Sequence, residues 1–186
     1  MPAQVLEGGF ANLPVDASYA FRAVMTAMAR PGDIVEVRGA KPPPPMSIAA
    51  GVVVLTLCDP ETPIHLAFSH DTPQVRDWIT FHTGAPFVAA QDAMFALGVW
   101  DALSLAELPL GTAEYPDRSA TVIVEHQTLS NDGAGLRGPG IKEKTTLSLP
   151  DSRAFETNAA LFPLGLDFIF TCDNRLAALP RTTRVG

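Results

Sequence analysis

Lysine and cysteine are scarce in this chain of 186 residues, which holds three lysines (Lys41, Lys142, Lys144) and two cysteines (Cys58, Cys172). Both cysteines sit in apolar strings far apart in sequence, with no second cysteine or histidine at ligand spacing, so they read as buried thiols. A cubane iron-sulfur cluster takes three or four thiolates and cannot be housed by this chain alone. Positive charge is also short: 13 Lys and Arg against 20 Asp and Glu leave a net charge of −7. That argues against nucleic acid or an anionic membrane as the main partner, since both need local basic excess, while a small basic pocket stays open. Long apolar runs are missing too. The longest, Ile48 to Cys58, is far short of a bilayer span, and no basic segment followed by an apolar one opens the chain. A cytoplasmic protein is expected. His65, His70 and His126 share no metal-ligand spacing, and no serine occupies a glycine-flanked elbow, so neither a metal centre nor a serine nucleophile is expected.

What the chain does have is apolar content, 47% of its residues. At this length roughly 70% of the extended-chain surface can be buried, and one domain over 1–186 is expected. Asp16 is a plausible N-cap for a helix in which Phe21, Val24, Met25 and Met28 recur at helical spacing until Pro31-Gly32. Ile34 to Val37 alternates as a short strand, and Lys41 to Pro45 reads as a stiff polyproline linker. Ser47 can cap a helix over 48–57; Val52-Val53-Val54 would fit a strand as well, and the length favours helix. Ile64 to Phe68 follows as a strand, then a helix capped by Asp71, with Val75, Trp78, Ile79 and His82 on one face and Gly84 as its stop.

Met94 to Val99 is a further strand, Leu103 to Leu108 a helical turn, and Thr121 to His126 a β-branched strand. After the turn at Asn131-Asp132-Gly133, Leu136 to Gly138 is expected to pair back on Thr121 to His126. Asp151 caps a helix through Leu161. The run Phe162 to Cys172 opens on a Pro163-Gly165 turn and continues through Asp173-Asn174-Arg175 into a second strand that Pro180 ends. Hairpins force antiparallel neighbours and crossovers permit parallel ones, so the expected class is mixed α/β: a mixed β-sheet flanked by helices.

Three places could carry chemistry. Arg181 with Thr182 and Thr183, at a strand end, offers a planar charged donor and two hydroxyls that suit phosphate or carboxylate and equally suit a subunit interface. Arg137-Gly138-Pro139-Gly140 could turn backbone amides and a guanidinium toward an anion, although Gly-Pro-Gly is first of all a turn. His82, at a helix end where the dipole favours an imidazolium, is more simply read as end packing than as a catalyst.

Read in order, Phe21-Arg22, Ala27 to Gly32, Leu55 to Asp59 with Thr62-Pro63, Phe81 to Pro86, Gly111-Thr112, Ser119 to Ile123, Gly138 to Ile141 and the C-terminal Phe162 to Cys172 and Leu176 to Thr183 resemble the PhnH family of bacterial phosphonate breakdown, over almost the whole chain. The resemblance implies a homodimeric fold that looks like a reduced relative of the pyridoxal-phosphate-dependent transferases. That cofactor needs a lysine for its aldimine, and Lys41, Lys142 and Lys144 all lie in polar or proline-rich loop text, so no cofactor is expected. It further implies a subunit of the carbon-phosphorus lyase core complex, acting with PhnG, PhnI and PhnJ. In that system PhnI, with PhnG, PhnH and PhnL, transfers the ribose triphosphate of ATP to an alkylphosphonate and releases adenine. No catalytic residue carries over, and an essential non-catalytic partner is expected. The alternative is an enzyme subunit holding a phosphorylated or phosphonate ligand in a dimer-interface pocket.

Overall fold

The computed structural model describes residues 7–186; the first residues, on which the reading of a missing leader partly rests, lie outside that range. Its spine is a six-stranded sheet in the order β1-β8-β7-β4-β3-β2, comprising β1 (Val35–Glu36), β2 (Ile64–Leu66), β3 (Phe95–Val99), β4 (Thr121–Glu125), β7 (Asp167–Cys172) and β8 (Arg175–Leu179). Strands β2, β3, β4 and β7 run parallel, whereas β8 returns antiparallel on β7 and β1 antiparallel on β8. The expected mixed α/β class is therefore observed. A second, antiparallel sheet contains β5 (Ala134–Arg137), β6 (Thr145–Leu147) and β9 (Arg184–Val185), in the order β6-β5-β9.

Successive strand residues point to opposite faces, so a sheet covered on both sides must be apolar in both registers. Leu97, Ile123, Ile169 and Ala178 face one layer with the helices α1 (Leu13–Ala29), α2 (Ile48–Leu57) and α3 (Pro73–Thr83). Ala96, Val122, Val124, Phe168 and Phe170 face the other, where they meet Leu136 and Leu147 of the small sheet and Phe155 of α4 (Ser152–Ala160). Helix α2 is apolar on every side because it is sunk between layers, with Ala49 through Val54 all buried. The Ser47 cap is as expected, its hydroxyl accepting from the Ala50 N–H at 3.0 Å. The proline tract lies against this helix, since a Cβ on Gly51 would come within 2.7 Å of Pro42.

Three expectations are corrected. Helix α1 starts earlier than Asp16, at Leu13 with Pro14 in its first turn, and the Asp16 carboxylate instead accepts from the Asn12 N–H at 2.8 Å. Thr72, not Asp71, caps α3: its hydroxyl accepts from the Val75 N–H, while Asp71 is drawn into an ion pair with Arg76. Gly84 ends α3 in the left-handed conformation as anticipated. The third correction bears on the site. Leu136 to Gly138 does not pair with β4, because both edges of β4 are already taken by β3 and β7; β5 pairs with β6 and β9 instead.

Candidate functional site

The β5 pairing brings residues 47 positions apart in sequence onto one short ladder, in which Arg137 stands directly across from Arg184 and Leu136 across from Val185. Helix α4 packs against β9. Between them lies a concave pocket of about 390 Å³ lined by Arg137, Gly138, Pro139, Ala159, Phe162, Arg181, Thr182 and Arg184. Four of the residues singled out in the sequence converge here: Arg137, Gly138, Arg181 and Thr182. Arg184 escaped sequence reasoning, and the sequence marks Phe162 only as the start of the C-terminal turn and strand. Nothing in a two-residue strand at the chain end signals which strand it will join.

The three guanidinium groups are not equivalent. Arg181 is held from several sides: its backbone N–H donates to Asp167 Oδ1 at 2.8 Å, its Nε donates to both carboxylate oxygens at 3.2 Å, and its Nη1 donates to the Pro116 carbonyl at 2.6 Å. Its Nη2 bonds Ser119 and Asp167 as well. The side chains of the pair are only 13% and 18% exposed, so Arg181 chiefly ties β7, the end of β8 and the segment before β4 into one corner. Arg137 and Arg184, by contrast, are exposed and form no salt bridge among the described residues.

The other singled-out residues lie apart. Thr183 is 2% exposed; its N–H donates to the Pro180 carbonyl, and its hydroxyl is buried with no partner among the described residues. Gly140 faces away from the pocket toward the end of α1, where any Cβ would collide with the Ala29 carbonyl, so its glycine is required by packing. His82 is remote, at the end of α3, with its ring 4.9 Å from those of Trp78 and Phe81 and its Nε2 3.3 Å from the Glu7 carbonyl. Both Trp78 Nε1 and His82 Nε2 reach that carbonyl, so packing of the N-terminal segment across α3 is what the structure gives His82 to do.

The carboxyl end of β4 carries a half-buried ionisable group, Glu125. The Glu125 carboxylate accepts from the Ser47 and Thr171 hydroxyls, both at 2.6 Å, linking the start of α2 to β4 and β7, and burial pushes its pKa up. No group of three or more His, Cys, Asp or Glu is placed to hold a metal among the described residues.

Fold and pocket together define a mixed α/β protein whose most concentrated recognition chemistry is an arginine-lined cleft at the amino-terminal side of its parallel strands. The family model of the bacterial phosphonate metabolism protein (PhnH) matches residues 8–186, and the chain belongs to that family. It is 38% identical to the alpha-D-ribose 1-methylphosphonate 5-triphosphate synthase subunit PhnH of Rhizobium meliloti (strain 1021), over 98% of this chain and 96% of the relative. It is also 30% identical to HtxG of Stutzerimonas stutzeri, whose name places it among C-P lyase subunits, over 97% of this chain and 96% of that protein.

Proposed function

We propose that this chain works as the PhnH subunit of a carbon-phosphorus lyase assembly in phosphonate breakdown. There it supports, without a catalytic centre of its own, the transfer of ribose triphosphate from ATP to an alkylphosphonate with release of adenine. The observation that carries this is the match to the family and to a named synthase subunit along nearly the full length of both chains. The surface agrees with life in an assembly. Phe68 is 81% exposed, Tyr19 67%, Leu13 64% and Phe162 60%, and aromatic side chains such as Phe68, Tyr19 and Phe162 are the common material of protein interfaces. Among the aromatic and leucine side chains beside turns and loops, Phe81 and Phe162 are exposed, Phe87, Trp100 and Leu164 are half-buried, and Leu166 is buried.

On this reading the chain is one cytoplasmic domain that forms a homodimer and presents a second face to PhnG, PhnI, PhnJ or PhnL. No helix among the described residues is long and apolar enough to cross a membrane. The sheet is read as a reduced relative of the pyridoxal-phosphate-dependent transferase fold that takes no such cofactor. In support, Lys41, Lys142 and Lys144 are all exposed, where no burial lowers an amine toward aldimine chemistry. The decisive experiment is reconstitution with PhnG, PhnI and PhnL, following adenine release from ATP and methylphosphonate with and without this chain. Release that is unchanged by omitting it, or that the purified chain performs alone, overturns the reading.

A further inference from the structure

We infer that the arginine pocket is a binding site for a phosphate monoester or phosphonate dianion bearing an apolar substituent. Arg137 and Arg184 are register partners in an antiparallel pair, so their side chains leave the same face of the small sheet side by side. Like charges directly opposed across a ladder destabilise it. Neither has a carboxylate within ion-pair distance among the described residues, although the chain as a whole carries a net charge of −7. An arrangement that costs stability in the free protein, in a chain with carboxylates to spare, is explained by a group that sits between the two guanidinium forks.

Charge counting sets the class of that group. Arg181 is neutralised by Asp167, so the lining contributes two uncompensated positive charges, which a dianion balances and a carboxylate only half balances. Planar guanidinium donors match the oxygens of a tetrahedral oxyanion in pairs. Phe162, Ala159 and Pro139 form the remaining wall and give an apolar substituent a surface to lie on. At about 390 Å³ the pocket falls within the roughly 300–1,000 Å³ range of small-molecule sites. Gly138 permits its shape: at φ 143° it closes against the Thr182 carbonyl, which a Cβ would approach to 3.1 Å. The site stands independently of the assembly reading, because it is tested on the isolated chain.

The test is calorimetric titration and thermal unfolding of the isolated chain with phenylphosphonate, inorganic phosphate and phenylacetate, and with sodium chloride at matched ionic strength. Phenylphosphonate is expected to bind and stabilise most, phosphate less, phenylacetate less again, and chloride least. Arg137→Gln and Arg184→Gln should each weaken phenylphosphonate binding at least about tenfold, as loss of a charged hydrogen-bonding partner does. Without ligand both variants should melt at or above the parent temperature, because the like-charge repulsion is relieved. A purely structural arginine would lower it. Equal stabilisation by chloride, no phenylphosphonate binding at several millimolar, or binding retained in the double variant overturns the site. Phosphate matching phenylphosphonate overturns the apolar substituent, and phenylacetate matching it overturns the dianion. The four-probe comparison on the parent protein decides these points even if a variant does not fold.

Discussion

Replacing Arg181 with alanine should lower the stability of the fold first and foremost, whatever it does to ligand binding. The guanidinium and its backbone amide together serve Asp167, the Pro116 carbonyl and the Ser119 hydroxyl. Truncation strands the Asp167 carboxylate, whose side chain is 18% exposed, with a single backbone donor, and leaves Ser119, itself 8% exposed, without its charged partner. Removing one member of a largely buried pair costs about 3–5 kcal/mol, mainly through the uncompensated charge left behind. For a chain of this length each kcal/mol moves the melting temperature by roughly 2–4 °C, so Arg181→Ala should melt roughly 6–20 °C below the parent. Replacing both partners by apolar residues, Arg181→Met with Asp167→Leu, should cost less than the sum of the single changes, because no charge is then left alone. The assay is thermal unfolding followed by circular dichroism, with urea titration as a check. An Arg181→Ala protein melting within about 2 °C of the parent, less than 1 kcal/mol, would refute the assignment of Arg181 as the tie of this corner.

Glu125→Gln should change stability in a pH-dependent way. Burial raises the folded-state pKa, so the favoured neutral form contributes fully below the unfolded value near 4.5, and that contribution is lost as pH rises through the folded value. The glutamine variant should therefore gain on the parent between pH 4 and pH 8; a difference in melting temperature that stays constant or moves the other way sinks the argument. Cys58, 6% exposed and with its thiol pushed up to about 12, and Cys172, 2% exposed, should resist a thiol reagent such as dithionitrobenzoate in the native state and react on unfolding. Rapid native labelling of either would show that its burial is wrong. Gly140→Ala combines a left-handed backbone with a collision at the Ala29 carbonyl and should cost at least about 2 kcal/mol, measured by urea titration. Near-neutral behaviour would mean that the loop does not dock against α1.

The order of helices and strands was legible in the amino-acid sequence because local chemistry sets it. Ser47 and Asp151 cap their helices, Gly84 stops α3, and Asp173-Asn174 turns β7 into β8 through a residue at φ 52°. Short-range competition settled the errors at this level, as where Asp71 chose Arg76 and left the α3 cap to Thr72. The family was legible too, since its motifs recur in order along the whole chain. Strand partnership was not, because it depends on which sheet edges are still free. With β4 enclosed between β3 and β7, β5 had to pair elsewhere, and its meeting with β9 placed Arg137 across from Arg184. The sequence named Arg137, Gly138, Arg181 and Thr182 from their chemistry alone. Only the tertiary structure joined them to Arg184 and Phe162, spent Arg181 on Asp167, and set Gly140, Thr183 and His82 apart, because distance along the chain carries no information about closure between sheets.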